Sequence, residues 1–177
     1  LENNFALASI GDCKEGNFYA LVPDNGEEIT DIKTAPACFT APPCVLSGGE
    51  ILWLGTKNGK AEAYLSQNIC KGFSLVGTVP EIESGRTVSH ACCIRLKTGR
   101  ILAVICSAGE FFSSFSDDTG ARWSVPKALD IKGTASNLAI SKDGVAVLSF
   151  VDPTKDQSIR CCINKDGESD WCKVRLL

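Results

Sequence analysis

The chain has no methionine, a single histidine at His90, and no C-x-x-C pair among its ten cysteines. Metal-ligand spacing is therefore missing, so a structural zinc site is not expected, and no metal or cofactor is implied. Because Met is absent, Leu1 is read as something other than a native start, in a chain processed or excised from a longer one. Basic residues do not dominate. Lys and Arg number 18 against 21 acidic residues, a formal charge of -3, which leaves no electrostatic footprint for nucleic acid. No apolar run approaches the roughly 20 residues needed to span a bilayer, and no signal-like segment opens the sequence.

Sustained helical periodicity is absent as well. Short apolar or β-branched runs bounded by Gly, Asp, Asn or Pro take its place, and they predict an all-β fold. With 177 residues, 44% of them hydrophobic, one domain can bury roughly 70% of its unfolded surface. The even number of cysteines fits a disulfide framework in an oxidising compartment. Cys162 and Cys172 stand at equal distances from Gly167, so a hairpin centred there would set them face to face. Cys38 and Cys44 are close enough to staple a short loop. The competing expectation is buried thiols, because the two faces of an inner strand can both be interior, which suits the adjacent pairs Cys92-Cys93 and Cys161-Cys162.

Ser116-Asp117-Asp118-Thr119-Gly120-Ala121-Arg122-Trp123 is the most informative stretch. Its spacing suits a tight turn: the Asp118 carboxylate can accept backbone N–H bonds, Gly120 permits positive φ, and Trp123 can fold back over an apolar base. Degraded versions recur. Ser66, Asn68 and Phe73 keep one register, Asp24 and Gly26 another, and Asp166, Gly167 and Trp171 a third with one extra residue before the Trp. The closing apolar residues fall roughly 44 to 50 positions apart, the size of a four-stranded blade. Repeats of about 1–33, 34–81, 82–131 and 132–177 follow. The first starts inside its unit and lacks the innermost strand.

The Ser116–Trp123 stretch resembles the S-x-D-x-G-x-T-W Asp box of sialidases and related β-propellers, with Arg122 in place of the Thr. The resemblance implies a β-propeller of about four sialidase-type blades, possibly part of a six-bladed ring. It implies that the boxes are turn devices on the face opposite the substrate site. Candidate ligand-binding residues on the other face are Arg86, Glu83, His90, Glu110 and Asp152, with Arg86 the one arginine just ahead of an inner strand. Each has a plain alternative as solvated charge, or for His90 as a packed residue. The family's arginine triad, its F-R-I-P segment and its axial tyrosine have no counterpart, since Tyr19 and Tyr64 fall in third strands.

The expectation is a secreted or surface-exposed recognition or assembly propeller, binding a glycan or protein partner through its loop face without catalysis. One alternative is a portion of a sialidase or other glycoside hydrolase whose remaining groups lie on other blades, with a second chain completing the ring. The other is an intracellular scaffold with reduced cysteines.

Overall fold

The structure is a computed structural model that describes residues 5–13, 16–23, 31–82, 85–154, 158–166 and 171–174. Asp24, Gly26, Glu83 and Gly167 lie outside them. The described residues are all β apart from one 3-10 turn at Ile69–Lys71. No helix among them is long and apolar enough to cross a membrane.

Four antiparallel meanders follow one another. The first has three strands, β1 (Phe5–Cys13), β2 (Gly16–Pro23) and β3 (Asp31–Thr34). The second runs β4 (Cys44–Val45), β5 (Ile51–Lys57), β6 (Lys60–Ser66) and β7 (Ser74–Thr78). The third runs β8 (Val88–Arg95), β9 (Ile101–Ser107), β10 (Glu110–Ser116) and β11 (Lys127–Lys132). The fourth runs β12 (Thr134–Ile140), β13 (Ala146–Asp152), β14 (Ser158–Asn164) and β15 (Cys172–Val174). Each sheet pairs its strands in chain order and none closes on itself, so the three-stranded first unit matches the sequence expectation.

Alternation decides how the sheets stack. All seven residues of β9 are buried. Ile101, Ala103 and Ile105 pack with Leu52, Leu54 and Ala63 of the second sheet, while Leu102, Val104 and Cys106 pack with Leu148 and Phe150 of the fourth. Side chains of period two thus build two cores from one strand, each buried Leu, Ile or Val contributing about 1.5–3 kcal/mol. The same alternation splits Cys92 from Cys93. Between the first and second sheets lies an aromatic cluster in which Phe39 stacks on Trp53 at 4.2 Å and Phe73 meets Tyr19 edge-on at 5.3 Å.

Proline explains two boundary differences. The apolar run over 37–46 reads as an inner strand, but the strand is reduced to Cys44–Val45 with an isolated bridge from Cys38 to Thr56, because Pro42 and Pro43 donate no backbone hydrogen bond. The run from Trp123 to Leu129 reads as an outer strand, but that strand starts at Lys127, just after Pro126. Ser124 bridges the gap: its N–H donates to Phe115 O at 2.8 Å, and Phe115 N–H donates to Ser124 Oγ at 3.0 Å.

The expected disulfides are not formed. Cys38, Cys44 and Cys172 carry thiols. In the β14–β15 pairing Cys172 stands opposite Ile163, and Lys173 opposite Cys162, so the one-residue offset sends the two sulfurs to opposite faces. Cys38 and Cys44 pair with Thr56 and Leu52 respectively. Four residues along a strand is about 13 Å, well beyond the roughly 7 Å limit for a bridge.

Candidate functional site

Turns and linkers at one end of the sheets bring three separated segments together. Val88 N–H donates to Gly59 O at 2.8 Å, and Ser107 Oγ donates to Thr87 O at 2.8 Å. These bonds pin the entrance of β8 against the β5–β6 turn and set Arg86 between two grooves. The first, a cavity of about 170 Å³, is lined by Asn58–Ala61, Val79–Ile82 and the 85–88 segment, with a Lys60–Glu81 ion pair of 3.0 Å on its rim. The second, of about 240 Å³, is lined by Arg86, Glu110, Phe112, Asp130 and Lys132 among others.

Arg86 Nη1 lies 2.7 Å from Glu110 Oε2, and its guanidinium stands 5.8 Å from the centre of the buried Phe112 ring. Lys132 Nζ approaches Glu110 Oε1 at 3.7 Å. The lysine arrives through a β-bulge. The β10–β11 pairing steps from Phe112↔Ala128 to Glu110↔Lys132, and Asp130 inside that step takes φ 50°. Hydrogen bonding to Arg86, then the Arg86 charge and Lys132, hold the Glu110 carboxyl below its ordinary range. Two cations and two carboxylates therefore share one groove. That balance suits a polyhydroxylated ligand with at most one charge better than a polyanion, because donors and acceptors alternate and there is no excess positive field.

Of the sequence candidates, Arg86 and Glu110 come together, Asp152 and His90 do not join them, and Glu83 lies outside the described residues. Asp152 pairs with Arg160 at 3.4 Å in the fourth sheet, with both side chains largely covered. His90 is the third residue of β8, half-buried, lines neither groove, and has its pKa lowered mainly by burial. Tyr19 and Tyr64 are buried in the aromatic cluster as their third-strand positions implied. The Tyr64 hydroxyl donates to Glu62, and burial followed by that carboxylate raises its pKa, the opposite of an activated nucleophile. Lys132 and Phe112 were missed. Lys132 had one faint signal, the echo of Asp31-Ile32-Lys33 in Asp130-Ile131-Lys132. Among the described residues no group of three His, Cys, Asp or Glu is placed to hold a metal ion.

The Ser116–Trp123 turn sits at the opposite end and is a packing device. Asp118 Oδ1 accepts from Arg122 N–H at 2.8 Å and from Ser116 Oγ at 3.0 Å, and Ser116 Oγ accepts from Gly120 N–H at 2.9 Å. Trp123 Nε1–H donates to Gly120 O at 2.8 Å. The substituted residue contributes too: Arg122 Nε reaches Asp118 Oδ2 at 2.7 Å, and this hydrogen bond leads the causes that lower the carboxyl from 3.8 to about 2. The turn presses on the second sheet, where a Cβ at Gly120 would lie 2.9 Å from Leu52 Cδ1. Ser66–Phe73 makes a related turn: Asn68 Oδ1 accepts from Cys70 N–H at 2.9 Å, Gly72 takes φ 93°, and Phe73 closes on the aromatic cluster. In the fourth unit Asn164 Oδ1 accepts from Asp166 N–H at 3.2 Å, and Trp171 packs partly buried against the core.

No family model matches the sequence, and no curated protein matches it. Solved structures do match the fold. A protein of unknown function from Dyadobacter fermentans superposes with a TM-score of 0.79 at 15% identity, over 90% of this chain and 52% of that one. A K499G mutant of the NanB sialidase from Streptococcus pneumoniae gives 0.64 at 18% identity, over 88% and 28%. An α-L-arabinanase from Penicillium chrysogenum, solved with arabinobiose, gives 0.58 at 12% identity, over 99% and 79%. The chain thus spans about half of the first of these and under a third of the second. The sialidase and arabinanase neighbours are glycoside hydrolases of propeller fold. Four successive antiparallel sheets stacked through their faces, with such neighbours, make this chain an open run of propeller sheets.

Proposed function

We propose that this chain is a recognition propeller of the sialidase-like, Asp-box type that binds a glycan through the groove pair centred on Arg86. The carrying observation is the convergence of Arg86, from the segment before β8, with Glu110 at the start of β10 and Lys132 at the end of β11, beside two concave surfaces. A charge-balanced rim of donors and acceptors is the chemistry that reads sugar hydroxyls. The absence of turnover belongs to the same reading: both tyrosines are sequestered in the aromatic cluster, and Asp152 is tied to Arg160 away from the grooves.

The test is titration of the chain against a panel of neutral and acidic oligosaccharides by calorimetry. Arg86→Ala should weaken binding about 10- to 100-fold, the range for losing hydrogen bonds to a charged group, while leaving the unfolding midpoint nearly unchanged. Saturable binding that ignores Arg86→Ala rejects the site.

A second reading is kept for one reason: the sialidase and arabinanase neighbours hydrolyse glycosides, and the chain covers 28% and 79% of their lengths. In that case the grooves are part of a hydrolase site completed by further blades. Turnover of a fluorogenic sialoside or arabinoside, abolished by Arg86→Ala, would put this reading first.

A further inference from the structure

The two grooves beside Arg86 differ in chemistry. Ionised side chains from three segments, Arg86, Glu110, Asp130 and Lys132, line the second. In the first, of about 170 Å³, Lys60 and Glu81 close their charges on each other at 3.0 Å, and apart from Arg86 the remaining lining is neutral. Pro80, Ile82 and Val88 present accessible apolar surface there, above the buried Ala61, Val79 and Ile105. The neutral polar side chains of this lining are Asn58 and Thr87, both exposed. Neither side chain hydrogen-bonds another described residue, so both stay open to a ligand. Backbone contacts fix the walls before any ligand arrives: Val79 N–H donates to Ala61 O at 2.9 Å and Val88 N–H to Gly59 O at 2.8 Å, while Asn58 holds φ 51° in the β5–β6 turn. The groove is preformed.

We propose that the first groove is an acylamido subsite, seating the N-acetyl group of an amino sugar, while the second groove takes the hydroxyls of the adjoining sugar. An N-acetyl group offers an N–H, a carbonyl and a methyl. The Asn58 amide answers the first two, its Oδ1 accepting and its Nδ2 donating, and the apolar surface of Pro80, Ile82 and Val88 takes the methyl out of water. Other substituents fit less well. A carboxylate would compete with Glu81 for Lys60, and an ammonium would face the Arg86 guanidinium. A hydroxyl gains nothing from the apolar floor, and a deoxy methyl leaves the Asn58 amide without a partner. The inference rests on the glycan reading of the groove pair and narrows it to N-acetylated glycans.

The experiment is calorimetric titration with two matched pairs, N-acetyllactosamine against lactose and chitotriose against cellotriose, whose members differ only by acetamido in place of hydroxyl. The acetylated member should bind about tenfold tighter or more, the range for one buried methyl and one neutral hydrogen bond. Asn58→Gly removes the amide yet keeps a residue suited to positive φ, so the unfolding midpoint should hold while the ratio falls below threefold. Lys132→Ala, in the other groove, should weaken both members and keep the ratio. Equal affinity within each pair, weakened by Arg86→Ala, overturns this inference and leaves the glycan reading standing. A preference that survives Asn58→Gly overturns it too. If no member of either pair binds the inference fails, and the glycan reading falls with it only when the wider oligosaccharide panel also shows no binding.

Discussion

Three glycine-to-alanine substitutions separate backbone strain from inter-sheet packing at the Ser116–Trp123 turn. Gly49 takes φ 88° with nothing within 4 Å of where a Cβ would stand, so Gly49→Ala reports the cost of positive φ alone, about 1 kcal/mol. Gly120 has nearly the same φ, 92°, but its added Cβ meets Leu52 Cδ1 at 2.9 Å and Ala63 Cβ at 3.4 Å. Leu52 and Ala63 are fully buried, so overpacking adds about 1–3 kcal/mol and Gly120→Ala should cost about 2–4 kcal/mol. Gly77 has no positive φ, yet its Cβ would meet the backbone carbonyls of Gly120 and Ala121, the latter at 2.5 Å. Backbone yields less than a leucine methyl, which places Gly77→Ala at about 3 kcal/mol or more. Urea midpoints measure the series, and thermal midpoints should fall about 2–4 °C per kcal/mol in a chain of this size. If Gly77→Ala and Gly120→Ala cost no more than Gly49→Ala, the turn of the third sheet is not seated in the second, and the packing argument fails.

Asp118 gives an acid-side prediction. Its carboxyl is lowered from 3.8 to about 2 in the folded chain, so its contribution to stability is complete above about pH 4 and is lost as pH falls toward 2. Asp118→Asn should flatten that part of the stability profile in acid titrations followed by fluorescence, and an unchanged slope would refute the assignment. Thiol titration gives another. Cys70 should react within minutes in the folded chain, while Cys92, pushed up to about 12 chiefly by burial, and Cys93, raised by burial, should react only after unfolding. Fewer than nine thiols in denaturant without reductant would show that bridges do form, and would favour export.

Much of the architecture was legible because it is local. The meanders, the three-stranded first unit and the split of Cys92 from Cys93 follow from period-two alternation and turn residues, which operate over a few neighbouring positions. The shortened β4 was also readable in Pro42-Pro43, had the missing donors been weighed against the apolar run. Of the site, Arg86 and Glu110 were named separately, but their 2.7 Å contact spans 24 residues of sequence, and Lys132 enters through a bulge that no local pattern announces.

By itself the sequence determined that this chain forms short strands joined by tight turns at a blade-like period, since alternation and turn chemistry act within each segment. Tertiary structure alone decided that Cys162 and Cys172 face apart and that Arg86, Glu110 and Lys132 converge. Strand register and sheet stacking are set by contacts between residues far apart in the chain, where a slip of one position reverses every side chain.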